Sequence, residues 1–244
     1  MSQQKFKNTV SLITGASKGI GLAAAHLIHA NGGHVIGLAR EKPADFPGDF
    51  MCVDLIDESD TAQILERITN QYEIDHLVNN AGKTTSSLLE QTSSKEFNDI
   101  IQINMRAPMQ ILQACLPAMT RKGYGRVVNI SSRAALGMIK RTAYAGAKSG
   151  IVGMTKTWAL ELGPRGITVN AIAPGPIATE LYKKNNPMTL DQEQKVIARI
   201  PVRRIGTPED VANAIEFFLS PASGFITGQV LYTCGGLSVG AASS

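Results

Sequence analysis

Two rhythms of apolar and polar residues take turns along this chain. Short apolar runs at 9–14 ("TVSLIT"), 34–39 ("HVIGLA"), 50–54 ("FMCVD") and 74–80 ("IDHLVNN") predict four strands. Further runs at 125–131 ("GRVVNIS"), 167–173 ("ITVNAIA") and 229–234 ("QVLYTC") bring the total to seven. Between them lie stretches of helical period: 20–30, ended by "NGG"; 59–72, with Ile64, Leu65, Ile68 and Tyr72 on one face; 94–121; 143–162; and a helix opening "TPEDVANAIEFFL". An irregular stretch of about twenty residues follows Pro174. Strands separated by crossover helices, with right-handed connections, predict an α/β fold: a doubly wound parallel sheet covered by helices on both faces. No linker, repeat or low-complexity segment divides it, so one domain over 1–244 is expected.

Composition narrows the function without choosing it. A chain of 244 residues with 43% hydrophobic and 18% charged residues can bury a sizeable core. The formal net charge of +4 is mild, and without a Lys/Arg-rich run nucleic-acid binding is not expected. Cys52, Cys115 and Cys234 are far apart and form no C-x-x-C pair, which predicts reduced core thiols, not disulfides or zinc. His26 and His29 lack metal-ligand spacing and read as helix surface, so no metal site is expected. The polar start "MSQQKFKN" and the absence of long apolar runs predict a cytoplasmic protein with no membrane association.

The chemistry begins at "TGASKGIG", residues 14–21, with Gly15, Gly19 and Gly21 between the first strand and first helix. Gly15–Gly19 matches G-x-S-x-G, the nucleophile elbow of serine hydrolases. A hydrolase then needs an acid and a histidine later in the chain, whereas the last histidine, His76, falls at the start of the fourth strand. The same turn also suits an anion: glycines let the backbone approach a pyrophosphate, and the helix start offers unpaired N–H groups. Its G-x-x-x-G-x-G spacing departs from the common G-x-G-x-x-G fingerprint.

Taken with "NNAG" at 79–82, "YAGAK" at 144–148 and "PGPIAT" at 174–179, this turn resembles the short-chain dehydrogenase/reductase family over essentially the whole chain. The resemblance implies a Rossmann-type fold, a nicotinamide cofactor and reversible carbonyl/alcohol chemistry. It places the cofactor part at about 1–130, the catalytic and substrate part at about 131–244, and a mobile lid at about 180–200. Tyr144 and Lys148, four apart in a helix, share a face. An ammonium about 4 Å from a phenolate, at an effective dielectric near 20, would pull the phenol from about 10 toward about 7. Ser131 and Ser132 both precede this pair, and only one of two strand neighbours can point into a site. The family's N-I-x-S pattern selects Ser132, although its interval of 12 residues to Tyr144 is one shorter than in many members. Asn104 matches the asparagine that completes the family's tetrad and supports a bound water. The implied reduction has Tyr144 as proton donor, Ser132 on the carbonyl oxygen, and Lys148 tuning the phenol and binding the nicotinamide ribose.

For the cofactor, the resemblance points to Gly15, Ser17, Lys18, Gly19, Ile20 and Gly21 at the turn, with Asp54 and Leu55 at the adenine. Asn80, Ala81 and Gly82 should line it beside the fourth strand, and Pro174, Gly175, Ile177 and Thr179 near the carboxamide and pyrophosphate. NAD enzymes of this fold place an acid after the second strand. Here Ala39 holds that position and Arg40 follows, with Lys18 as a second cation, so NADP(H) is expected over NAD(H). Glu41 is the opposing feature, able to present a carboxylate to a ribose hydroxyl. Lys183, Lys184, Arg133, Lys140 and Arg141 would either attract an anionic small-molecule substrate or simply be solvated. Much of the chain resembles 3-oxoacyl-[acyl-carrier-protein] reductases, whose carrier-docking positions carry Arg126 and Arg165 here. The short stretch after Arg40 resembles dihydrodiol-type dehydrogenases of cyclic alcohols instead, and a non-catalytic NADP(H) sensor is the third alternative. The helix at 143–162 and the tail "ITGQVLYTCGG" resemble family subunit contacts, so a homotetramer is expected.

Overall fold

A computed structural model describes residues 4–239 of the chain. Strands β1 (Val10–Thr14), β2 (His34–Ala39), β3 (Asp49–Cys52), β4 (His76–Asn79), β5 (Gly125–Ile130), β6 (Ile167–Pro174) and β7 (Val230–Thr233) form one sheet. All pairings are parallel, in the order β3-β2-β1-β4-β5-β6-β7. The order reverses between β1 and β4, which opens a crevice above their carboxyl ends. The helices are α1 (Gly19–Ala30), α2 (Glu58–Gln71), α3 (Ser94–Ile101), α4 (Ala107–Lys122), α5 (Thr142–Leu162), α6 (Glu180–Asn185), α7 (Leu190–Arg199) and α8 (Pro208–Leu219).

Alternation along each strand divides the core into two layers. Leu12, Leu77 and Val127 pack against Leu65, Ile111 and Leu162 of α2, α4 and α5. Their neighbours Ile13, Val78 and Val128 pack against Ile28, Val211 and Ile215 of α1 and α8. Because both faces are covered, β4, β5 and β6 are buried at every position, which explains their near-continuous apolar runs.

Four local expectations change. β3 ends at Cys52, with Val53 and Asp54 outside it and a turn at Leu55–Ile56; Cys52 is exposed, while Cys115 and Cys234 are buried. The helical region at 94–121 is interrupted by a π-turn over Gln102–Arg106, where the Ala107 N–H reaches five residues back to the Gln102 carbonyl. Pro108, next in line, has no N–H for the carbonyl four residues behind it, that of Asn104. Residues 180–200 are not irregular but form α6 and α7, separated around Pro187. Thr179 caps α6, and Thr189 with Gln192 makes a capping box on α7; neither helix has a fully buried residue.

His76 lies at the amino end of β4, opposite Ser11 of β1, and so at the other end of the sheet from the glycine turn. It is fully buried, with Nδ1 3.0 Å from Ser11 Oγ and Nε2 3.0 Å from the Tyr124 hydroxyl. Burial holds its pKa down to about 4. Its stabilising contribution is therefore complete above the unfolded value near 6.5 and is lost as pH falls toward 4, because the unfolded chain binds the proton first. Urea unfolding at pH 7.5 and pH 5 should differ by about 2 kcal/mol from this group, with the native imidazole still neutral by NMR at pH 5. A native imidazole that titrates near 6.5 would refute this assignment.

Candidate active site

The turn at 14–21 is held from behind by residues 79–81. Thr14 Oγ1 accepts hydrogen bonds from the N–H groups of Asn80 (3.0 Å) and Ala81 (2.9 Å). The Asn80 side chain donates to the carbonyls of Thr14 (2.9 Å) and Gly15 (3.1 Å). Thr14, which sequence reasoning passed over, is thus the pin between two glycine-containing motifs. Gly15 has φ +63°, and a Cβ there would stand 2.9 Å from Ala81 Cα. After the turn α1 begins without a side-chain cap and without an acidic residue in its first turn. Its first N–H groups and positive dipole end are therefore available to an anion. Ser17 and Ile20 are half-buried here, and Thr179 approaches Gly19 from the lid side.

Arg40 stands exposed directly after β2, followed by exposed Glu41. Lys18 is not a free second cation: its Nζ pairs with Glu180 Oε2 at 2.7 Å. The pairing arises because Thr179 packs at the start of α1 and brings the first residue of α6 over the turn. Asp54 is exposed and accepts from the Ile56 N–H at 3.1 Å, whereas Leu55 is buried and its carbonyl accepts from Arg106 Nη2 at 2.8 Å.

Beyond the carboxyl ends of β4, β5 and β6 lies a cavity of about 380 Å³. Ser132, Tyr144 and Lys148 line it from β5 and α5; Ile20, Asn80 and Gly82 line it from the β1 and β4 loops. Pro174, Gly175, Ile177 and Thr179 close it below the lid. The two serines separate cleanly. Ser131 is buried and donates to the Lys148 carbonyl at 2.7 Å, holding α5 against β5. Ser132, in extended backbone, accepts from the Ala134 N–H at 3.1 Å and lines the cavity beside Tyr144, whose pKa its hydroxyl lowers.

The electrostatics of the pair differ from the sequence expectation. Burial raises the Tyr144 phenol above its ordinary value near 10, opposed by the Ser132 hydroxyl and by the charge of Arg141. Lys148 is 4% exposed, and burial lowers it to about 8. Its Nζ donates to the Ile130 carbonyl at 2.7 Å and lies 5.7 Å from the centre of the Tyr144 ring. The phenol is not pulled toward 7 because the ammonium is anchored to β5 and both groups are desolvated, an effect no helical spacing reports.

Asn104 sits in the π-turn, 1% exposed. Its Nδ2 donates to the carbonyls of Lys83 and Ile100, both at 2.9 Å, while Oδ1 has no protein donor. That oxygen and Lys148 Nζ border the same space: a Cβ on Gly82 would meet them at 2.8 and 3.5 Å. Behind the site, a buried chain runs from Asn79 to Asn129 to Thr155, each link 2.9 Å, joining β4, β5 and α5. Asn79 opens "NNAG" and Asn129 opens the N-I-x-S pattern, but no sequence spacing pairs the two with each other or with Thr155.

Two further expectations are corrected. Arg141 is not a solvated charge: it is 7% exposed and lines the cavity, bonded to the loop after β4. Arg126 cannot dock a carrier, because it is 6% exposed with its guanidinium 4.4 Å from the Tyr124 ring centre. It also lies at the amino end of β5, as Arg165 lies just before β6, away from the cavity. Among the described residues, no helix is long and apolar enough to cross a membrane.

Comparison with known proteins agrees with this geometry. A family model described as enoyl-(acyl carrier protein) reductase matches residues 15–238. The 3-oxoacyl-[acyl-carrier-protein] reductase of Escherichia coli is 36% identical over 242 residues, covering 95% of this chain and 98% of that protein. The Thermotoga maritima reductase of the same name is 36% identical over 248 residues, covering 96% and 100%. Among solved structures, the aldohexose dehydrogenase of Thermoplasma acidophilum is 33% identical with a TM-score of 0.91, covering 100% of this chain and 98% of its own. A Beutenbergia cavernae protein described as an NAD(P)-dependent gluconate 5-dehydrogenase, with bound NADP, is 31% identical with a TM-score of 0.91, covering 98% and 100%. The chain therefore belongs to the short-chain dehydrogenase/reductase family and is an oxidoreductase of the kind that acts on CH–OH groups.

Proposed function

We propose that the protein interconverts a carbonyl and a secondary alcohol with NADP(H), using Ser132, Tyr144, Lys148 and Asn104. The observation that carries this is the meeting of the Ser132 hydroxyl, the Tyr144 phenol and the buried Lys148 ammonium on one cavity wall. The residues fit a dinucleotide: α1 starts uncapped beside the glycine turn, and the buried Asn104 Oδ1 faces the Lys148 side without a donor. The turn with Ser17, Gly19 and Ile20 would take the pyrophosphate, Asp54 and Leu55 the adenine end, and Ile177 the carboxamide. When bound, the cofactor supplies or accepts the hydride.

The chain's own residues handle the oxygen and the proton. Tyr144 gives its proton to the carbonyl oxygen as negative charge develops there, and Ser132 donates a hydrogen bond to the same oxygen. Lys148 stabilises the resulting phenolate, and Asn104 Oδ1 holds a water that returns a proton toward Lys148. With its pKa raised, the phenol is already in its acid form at neutral pH, the form that reduction requires. Arg40 is the residue that receives a 2′-phosphate, with Lys18 released from Glu180 as an auxiliary cation.

Absorbance at 340 nm tests this with NADPH or NADH and a panel of acetoacetyl-CoA, cyclohexanone and short oxo acids. NADPH-dependent reduction is expected, and silence on every ketone would return the chain to a sensor role. Arg40→Asp should lower kcat/KM for NADPH about 30-fold and change NADH by no more than about threefold, the scale of one charge-assisted phosphate contact. Equal losses with both cofactors would show that Arg40 does not touch the phosphate.

A further inference from the structure

Resting on the oxidoreductase reading above, we infer that the substrate is a small oxo acid or hydroxy acid whose free carboxylate is bound by Arg141. Arg141 precedes α5 by one residue, three before Tyr144, and its charge acts on the phenol. It is 7% exposed, a degree of burial at which a cation ordinarily has a carboxylate partner. Among the described residues its partners are neutral. Nη1 donates to Thr84 Oγ1 at 3.0 Å and to the Thr85 carbonyl. Nη2 makes only long contacts, 3.4 Å each, to the Asn185 carbonyl and Asn186 Oδ1 at the end of α6.

The cavity wall has the same sign throughout. No aspartate or glutamate lines it, whereas Lys83, Arg133, Arg141, Lys148 and Arg199 do. Lys83 is neutralised by Asp99 at 3.1 Å, and Lys148 belongs to the proton-transfer machinery. Arg141 is the buried member of those that remain. A carboxylate displacing the two long Nη2 contacts would gain charge-assisted bonds and place the negative charge between the β4 loop and the lid. One helical turn separates Arg141 from Tyr144, which brings the anchored carboxylate close to the reacting carbonyl. The cavity of about 380 Å³ must also admit the nicotinamide, which leaves room for a short chain only. The reaction is unchanged: C=O becomes CH–OH, with hydride from NADPH, which becomes NADP⁺, and a proton from Tyr144.

The test compares 2-oxobutyrate, acetoacetate and levulinate with their methyl esters, so that position and charge vary separately. Wild-type kcat/KM should favour at least one acid over its ester by about 10-fold or more. Arg141→Met should lower that acid's kcat/KM about 100-fold and the ester's no more than about threefold, and Arg141→Lys should recover part of the loss on the acid alone. Esters reduced as well as acids by the wild type, a measurement that needs no variant, would overturn the proposal. So would an equal loss on acid and ester in Arg141→Lys, which would mark Arg141 as a strap for the lid. Quenching of bound NADPH fluorescence by the oxo acid reads the anion site apart from turnover, and Tyr144→Phe should keep Arg141-dependent affinity. If no ketone is reduced but that affinity is present, the reductase assignment falls and the anion site stands; if the affinity is also absent, both fall.

Discussion

Tyr144→Phe should lower kcat for ketone reduction by at least about 10³-fold while NADPH affinity stays within about threefold. The substitution removes one oxygen and leaves the ring in its place on the cavity wall. What is lost is the proton donor that stands beside Ser132 on that wall. A loss of that size corresponds to roughly 4 kcal/mol of transition-state stabilisation, which a packing change of one hydroxyl does not supply. Stopped-flow absorbance gives the rate and fluorescence titration the affinity. Retention of a tenth of the activity would eliminate Tyr144 as proton donor, and a collapse of NADPH affinity would mean that the phenol mainly holds the cofactor.

The second large effect belongs to the glycine turn. A Cβ on Gly21 would lie 2.4 Å from the Gly15 carbonyl oxygen and 2.6 Å from Asn80 Nδ2. Both neighbours are fixed, the first as backbone and the second by its bonds to Thr14 and Gly15, so nothing soft can give way. Gly21→Ala should therefore destabilise the fold by about 3 kcal/mol, the upper end of ordinary overpacking, and weaken NADPH binding by at least about 100-fold. Urea unfolding and fluorescence titration measure the two losses on one preparation. An unchanged midpoint with normal NADPH binding would show that the turn opens without cost.

Both predictions use residues that stood out in the sequence, yet their physical content came from different levels. The strands and their parallel, doubly wound arrangement were legible because burial on both faces writes continuous apolar runs, as in β5 and β6. Tyr144, Lys148 and the glycines were legible because their spacing is local, within one turn or one helix face. The lid helices were less so: α6 and α7 are short and bury no residue completely, although capping threonines open both and α7 is amphipathic.

What the sequence by itself determined is the order of elements, the family and the residue types at the site. Only the tertiary structure decided how those residues are solvated and with whom they are paired. It tied Ser131 to α5 and left Ser132 to the phenol, anchored Lys148 to Ile130, and drew Lys18 to Glu180 across 162 residues. It also withdrew Arg126 from the surface and set Arg141, uncompensated by any described carboxylate, in the cavity wall. The reason is physical: periodicity and motif are properties of neighbours along the chain. Desolvation and charge pairing are instead set by which distant segments the sheet brings together.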